Sequence, residues 1–268
     1  MTRDAAAAGT RVWFDKVTIA YGSSTIVDQL SLNIDPGEIL ALIGPSGSGK
    51  TTALRALAGF VRPIAGRILI GDTDVTRLPP YARDIGMVVQ NYALFPHMKV
   101  EENVAFGLNA RKAPSELIKE RVASSLRMVG MSDFLGRYPR QLSGGQQQRI
   151  AIARALALDP RLIVCDEPVS ALDLSTQARV LDLFKEIQEA TGVAYLFVSH
   201  DLEVVRHLSH RVAVMYHGEI VETGDGEQIT RDPKHPYSRR LLTASPIADP
   251  AKQAERRAAW LRLRESAA

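Results

Sequence analysis

One cysteine occurs in 268 residues. That excludes an internal disulfide framework and a cysteine-built metal cluster, and it suits a reducing compartment. Charge of one sign is also lacking: the formal net charge is only +3. So small an excess gives no argument for nucleic acid or an anionic membrane surface as partner. No apolar run approaches the roughly 20 residues that span a bilayer. Any membrane role therefore has to go through a partner. The N-terminus has no charged stretch followed by a long apolar core, so no signal peptide is expected. No fixed-period repeat occurs, and no low-complexity tract beyond Ala5 to Ala8. What remains is 46% hydrophobic and 24% charged, ordinary for a globular protein. The length suits one large domain or two modest ones, enough to bury a core.

The chain is organised around Gly44-Pro45-Ser46-Gly47-Ser48-Gly49-Lys50-Thr51-Thr52. The apolar run Ile39 to Ile43 before it reads as a buried strand, and Ala53 to Ala58 after it reads as a helix. Strand, glycine loop and helix are the context that a phosphate-binding P-loop requires. The glycines let the backbone curl so that several N–H groups aim at one polyphosphate. The helix N-terminus adds its dipole. Lys50 supplies a mobile charge for the β- and γ-phosphates, and the Thr51 hydroxyl can reach a Mg²⁺. The loop implies a nucleoside triphosphate without naming the reaction.

Residues 1–10 read as a disordered leader. Val12 to Ala20, with Trp13, Phe14, Val17 and Ile19, suits a strand. Tyr21-Gly22-Ser23-Ser24 turns the chain, and Ile26 to Ile34 reads as further short strand with a turn. Asp35-Pro36-Gly37-Glu38 is a strong turn signal. Ile68 to Ile70 and Ile85 to Val89 predict two more strands. From about Asn91 to 160 the texture is helical, with Val100 to Leu108, Ser115 to Val129 and Ser143 to Ala157 periodic. Beyond it strand and helix alternate: 162–165 strand, 175–190 helix, 193–198 strand, 202–208 helix, 212–216 strand. Such alternation predicts a mostly parallel sheet sandwiched by helices. Ala251 to Glu265 reads as a basic helix, a solvated surface element in its plainest reading.

Other residues fit the same chemistry. Leu162 to Cys165 is an apolar strand that ends in Asp166-Glu167. There Asp166 can hold Mg²⁺ through water, and Glu167 can orient and deprotonate an attacking water. Alone, two such acids would equally cap a helix; after a P-loop the metal reading gains weight. Gln90 ends a strand and can reach the metal or the water. His200 follows the apolar strand Phe197-Val198 and can touch the γ-phosphate, although a lone histidine is more often structural. Ser143-Gly144-Gly145 precedes a helix and offers a second anion-binding N-terminus. By itself it is only a loop.

At this point the residues resemble the ATP-binding subunits of ABC transporters. Leu142-Ser143-Gly144-Gly145-Gln146, followed by Gln147-Gln148-Arg149, is similar to that family's signature motif. The resemblance covers roughly residues 12–245. It implies an α/β fold: a P-loop NTPase core with a mostly parallel sheet, an N-terminal antiparallel β subdomain, and a helical insertion at about 91–160 carrying the signature. The implied division is an ATP-binding domain over 1–245 and a basic helical tail over 246–268. Carried over by position, Tyr21 would stack on adenine. Gly44 through Thr52 would hold the phosphates, with Thr51, Gln90 and Asp166 at the Mg²⁺. Glu167 would be the general base, with Gln90 and His200 beside it, and Asp173 the D-loop acid after Ser170-Ala171-Leu172. The family pairs two domains head to tail, so Ser143, Gly144, Gly145 and Gln146 would meet the ATP of a second ABC ATPase subunit, identical or homologous.

Leu78 to Gly86 and Gln90 to Met98 resemble importers of the polyamine, iron and sugar type. Asp166 to Asp173, Phe197 to Tyr216 and His235 to Leu242 resemble peptide importers. The chain is expected to lack the β-rich C-terminal domain usual in the first group. Both halves imply bacterial import: an ATPase peripheral to the cytoplasmic face of the cell membrane, with permease subunits, a substrate-binding protein and no nucleic acid as partners. Tyr92, Leu94 and Phe95 are expected to be exposed as a groove for a short permease helix, or else to pack the helical insertion. Alternatives are a soluble ABC ATPase outside transport and a nucleotide-controlled regulatory module. The first usually carries two cassettes or a long coiled coil, absent here. Glu167 and His200 argue against the second.

Overall fold

A computed structural model describes residues 10–244. Most of the leader at 1–10 and the basic helical tail at 246–268 lie outside the described residues. The chain opens with an antiparallel pair, β1 (Val12–Tyr21) and β2 (Ser24–Ile34). It continues through β3 (Ile39–Ile43), α1 (Lys50–Leu57), β4 (Ala65–Ile70), the two-residue β5 (Thr73–Asp74) and β6 (Ile85–Val88). Helices α2 (Val100–Ala110), α3 (Ser115–Met128) and α4 (Gly144–Leu156) follow. Then come β7 (Leu162–Asp166), α5 (Leu174–Thr191), β8 (Ala194–Val198), α6 (Leu202–Leu208) and β9 (Arg211–Tyr216). The described chain closes with β10 (Glu219–Asp225), α7 (Gly226–Arg231) and α8 (Pro236–Ala244).

Two sheets form. A four-stranded antiparallel sheet has the order β2-β1-β4-β5. A six-stranded sheet has the order β10-β9-β3-β8-β7-β6, parallel throughout except for the antiparallel β10 edge. All five residues of β3 are buried between β8 and β9. That is why its sequence is a continuous apolar run rather than an alternating one. Strand β1 alternates unevenly because Lys16 adopts φ 50 and the register slips between Phe14 and Val17. This is the signature of a bulge. Gly66 faces it, where a Cβ would run into the Lys16 carbonyl.

Helices α2, α3 and α4 pack on one another and on α5 through Val104, Leu126, Ile150 and Phe184. Asn103 is fully buried, yet its amide is saturated. It accepts from Phe95 N and donates to the carbonyls of Phe95, Met98 and Lys99. So one side chain fixes the 95–99 loop as it enters α2. Arg83 is also buried, with 1% exposure. Its guanidinium donates to Ala56 O and Leu57 O at the end of α1, and to Thr76 O and Leu78 O. A buried cation at a helix C-terminus complements its dipole.

The structure adds to and corrects the sequence reading. Strand β2 spans Ser24–Ile34, with an irregularity rather than a turn at Gln29, which is left-handed at φ 42 where the register with β1 shifts. Elements β5, β10, α7 and α8 add to those that the sequence predicts. Of the two expectations for Tyr92, Leu94 and Phe95, exposure and packing on the helical insertion, the second fits Leu94: all three are half-buried, and Leu94 packs against the helical core.

Candidate nucleotide site

Four parallel strands deliver the candidate residues to one edge. The loop after β3 carries Gly44 to Gly49, β7 ends at Asp166, β8 is followed by His200, and β6 by Gln90. Carboxyl ends of parallel strands are where open α/β sheets bind ligands.

The P-loop is held from behind. Gly218 N, in the β9–β10 turn, donates to Ser48 O, and Asp28 N of β2 donates to Gly218 O. A Cβ on Gly44 would strike the Met215 carbonyl, so only glycine fits there. Gly47, at φ 80, faces open space instead. Helix α1 begins at Lys50 after Gly49 at φ 105, with no side-chain cap and no acid in its first turn. Its first N–H groups thus lack an intrahelical acceptor and a capping oxygen. Ser46 and Gly47 are exposed at the mouth, while Pro45 and Thr52 are half-buried. Lys50 Nζ donates to Gly44 O and Pro45 O, both at 2.8 Å. Burial lowers its pKa, against the pull of Glu167 and Asp166. An uncapped helix start, a glycine cradle and a desolvated ammonium together fit a polyphosphate.

Thr51 Oγ1 donates to Asp166 Oδ1 at 3.4 Å. Burial raises the Asp166 pKa, and the Glu167 charge raises it further. Two neighbouring acids in a half-buried site favour an added cation. Among the described residues no group of three or more His, Cys, Asp or Glu could hold a metal. A cation here would therefore share Asp166, the Thr51 hydroxyl and Gln90 with phosphate oxygens and water. That oxygen-rich, ligand-poor set fits Mg²⁺.

Glu167 sits at φ 47, a left-handed position that side chains seldom adopt. Its N–H donates to Val198 O. Its carboxylate is the hub of the site. Gln90 Nε2 donates to Oε2 at 3.4 Å and to Ser170 Oγ at 3.3 Å. His200 Nδ1 lies 3.2 Å from Oε1.

The remaining expected residues stand apart. Ser143 caps α4: its Oγ accepts from Gln146 N, and Gln146 Oε1 accepts from Ser143 N. Gly144 lies beneath the Tyr92 hydroxyl, and a Cβ on Gly145 would meet the Thr176 methyl group. Among the described residues no hydrogen bond joins Ser143–Gln146 to the P-loop. Asp173 caps α5 and accepts from Ser175 Oγ and Thr176 N, bonds that hold its carboxyl well below the usual range. Tyr21 ends β1 half-exposed.

An apolar groove lies beside the site; of the residues expected to form one, Phe95 lines it, and its other walls carry no signal in the sequence. A cavity of about 520 Å³ is lined by Phe60, Tyr81, Phe95, Phe106 and Leu158. Phe60, Tyr81 and Phe106 are exposed. They come from three separate segments, so no local pattern marks them.

The family described as ABC transporter matches residues 27–170, from β2 to Ser170 beside Glu167. The chain belongs to the ABC transporter family. A Salmonella typhimurium protein, provisionally named a 2-aminoethylphosphonate import ATP-binding protein, is 53% identical over 232 residues, 85% of this chain. An Fe(3+) ions import ATP-binding protein of Rhizobium etli is 44% identical over 83% of this chain and 63% of its own length. A spermidine/putrescine import ATP-binding protein of Vibrio cholerae is 43% identical over 84% of this chain and 60% of its own. The match to the Salmonella relative spans 62% of that protein's length. Among solved structures, the ATP-binding cassette MJ0796, a dimer bound to ADP and Pi, matches with TM-score 0.69 at 33% identity. That match covers 80% of this chain and 98% of that one. The structure of cbiO1 from Clostridium perfringens, part of the transporter complex cbiONQ, matches with TM-score 0.75 at 27% identity, over 82% of this chain and 90% of that one.

Proposed function

We propose that this ABC transporter family member is the ATP-binding and ATP-hydrolysing motor of a bacterial importer. The observation that carries it is the convergence of Gln90, Asp166, Glu167 and His200 beside an uncapped P-loop helix. In this reading Gly44 to Thr52 hold the phosphates and Tyr21 stacks on the adenine. Glu167 accepts a proton from water as the water oxygen bonds to the γ-phosphorus and the bond to the ADP oxygen breaks. Gln90 orients that water, and His200 contacts the γ-phosphate while fixing the Glu167 carboxylate. Thr51, Asp166 and Gln90 would hold the Mg²⁺, whose charge offsets that of the phosphates.

Ser143 to Gln146, with Asp173, serve the ATP of a second subunit. The absence of a hydrogen bond from Ser143–Gln146 to this chain's own P-loop, among the described residues, and the dimeric state of MJ0796 support that. The ATP-binding domain spans 1–245, with its helical part at about 91–160. No helix of the described residues is long and apolar enough to cross a membrane, which accords with a peripheral subunit at the cytoplasmic face. The Phe60–Phe106 groove is suited to an apolar helix of a permease partner, and a substrate-binding protein would deliver the cargo. The relatives' names favour a phosphonate, iron or polyamine cargo. The peptide-importer likeness at His235–Leu242 rests on sequence alone.

The test is phosphate release from Mg-ATP, together with light scattering of Glu167→Gln with and without ATP. We expect turnover by the wild type and ATP-driven association of the variant. A wild type that releases no phosphate, or a variant that stays unassociated even with its permeases, sinks the reading.

A further inference from the structure

Three successive residues after Gln90 are left-handed, and none is glycine: Asn91 at φ 59, Tyr92 at φ 62 and Ala93 at φ 44. Asparagine tolerates that conformation, whereas tyrosine and alanine resist it. Such a run persists only where its surroundings over-determine it. Its own support is a single tight turn bond, Ala93 N to Asn91 O at 2.6 Å. The rest comes from Arg154, in the last turn of α4. Its Nη1 donates to Ala93 O at 2.7 Å and its Nη2 to Tyr92 O at 3.1 Å. The guanidinium also lies 5.8 Å from the centre of the Phe95 ring. Among the described residues it makes no ion pair, and burial lowers its pKa. Its planar fork meets the two carbonyls of the strained turn, a geometry a lysine ammonium cannot copy.

The position of that turn matters. Gln90, immediately before it, aims its amide at Glu167 and Ser170. Tyr92, inside it, places its hydroxyl over Gly144 at the start of α4. Arg154 and Gln90 line one cleft of about 710 Å³ together with Asp166. Arg154 lines the apolar groove as well.

We propose that Arg154 is a positioning residue: its fork holds the left-handed turn 91–93 and so keeps Gln90 aimed at the Glu167 carboxylate. The signature helix that carries Arg154 is thereby tied to the glutamine. A shift of α4 moves the glutamine with it, and release of the fork lets the turn relax and withdraws the amide. The catalytic half of this inference rests on the ATPase reading above; the structural half does not.

The experiment uses the full chain and Arg154→Gln, with Arg154→Lys as the charge-retaining control. Amide hydrogen exchange over residues 91–98, without nucleotide, reads the turn directly. It should quicken by about tenfold or more in both variants. Single-turnover hydrolysis should slow by about tenfold or more, as for a mispositioned group, with ATP affinity near that of the wild type. Adding Ala93→Gly to Arg154→Gln should restore part of the lost turnover, because glycine adopts left-handed φ without penalty. A general loss of packing would not be repaired that way. Unchanged exchange, or hydrolysis at the wild-type rate in Arg154→Gln, overturns the proposal while leaving the ATPase reading intact. So does a double variant with no recovery. A wild type without turnover sinks the ATPase reading and the catalytic half together; the exchange result then still decides the hold on the turn.

Discussion

His200 Nδ1 stands 3.2 Å from Glu167 Oε1, and Gln90 approaches the other oxygen of the same carboxylate. A carboxylate fixed from both sides is preorganised to take one proton from one direction. Glu167→Gln keeps the shape and removes the basicity. Steady-state turnover should fall by about 100-fold or more, with ATP affinity near that of the wild type. A variant that hydrolyses at the normal rate would remove Glu167 from the role of base.

Lys50→Ala tests the grip on phosphate. The ammonium donates to Gly44 O, Pro45 O and Ser48 Oγ, all within its own loop. Loss of one charge-assisted contact costs about 1.5–3 kcal/mol. Equilibrium binding of ATP should weaken by about 10- to 100-fold, while AMP, which lacks the β- and γ-phosphates, should be little affected.

Asp166 should destabilise the nucleotide-free fold near neutral pH. Burial and Glu167 raise its folded pKa above the ordinary 3.8. Above pH 3.8, and until pH passes the raised value, the native state keeps a proton that the unfolded state has lost. The stability due to that proton is fully present below pH 3.8 and is lost as pH rises through the folded pKa. Asp166→Asn should therefore raise the melting temperature near neutral pH, and the advantage should vanish in acid. Mg-ATP should stabilise the wild type more than the variant.

Arg83 predicts a stability effect away from the chemistry. Its guanidinium satisfies four carbonyls, two of them at the end of α1. Arg83→Met strands those oxygens in a buried site, a loss of about 3 kcal/mol or more. Arg83→Lys should recover only part, because a point charge cannot meet four acceptors. Urea unfolding of the three proteins decides it.

The P-loop and the strand ending in Asp166-Glu167 were legible in the sequence because each is local: an apolar run, then the chemistry. The three helices of the insertion showed for the same reason, through their periodicity. Strand β10 did not, since none of its residues is fully buried and only Ile220-Val221 in Glu219 to Asp225 are apolar neighbours. Arg83 was invisible as an interior residue, because its partners are carbonyls that any sequence supplies. The sequence left Leu94 and Phe95 open between exposure and packing; Asn103, which bonds Phe95 N and O, fixes their loop against the helices. The groove of Phe60, Tyr81 and Phe106 exists only once three segments meet. The site residues were easier to find than their supports because phosphate chemistry limits residue choice, while support comes from whatever the fold brings near.

The turn behind the P-loop has a consequence for synthesis. Ser48 leans on Gly218, and Gly218 on Asp28. A ribosome-bound chain that ends just after His200 already carries the P-loop, Gln90, the signature loop, Asp166-Glu167 and His200. It still lacks the brace under the phosphate cradle. Nucleotide capture should therefore arise late, once the segment through Gly218 has emerged, and ATP should report a braced cassette rather than assist a half-made one.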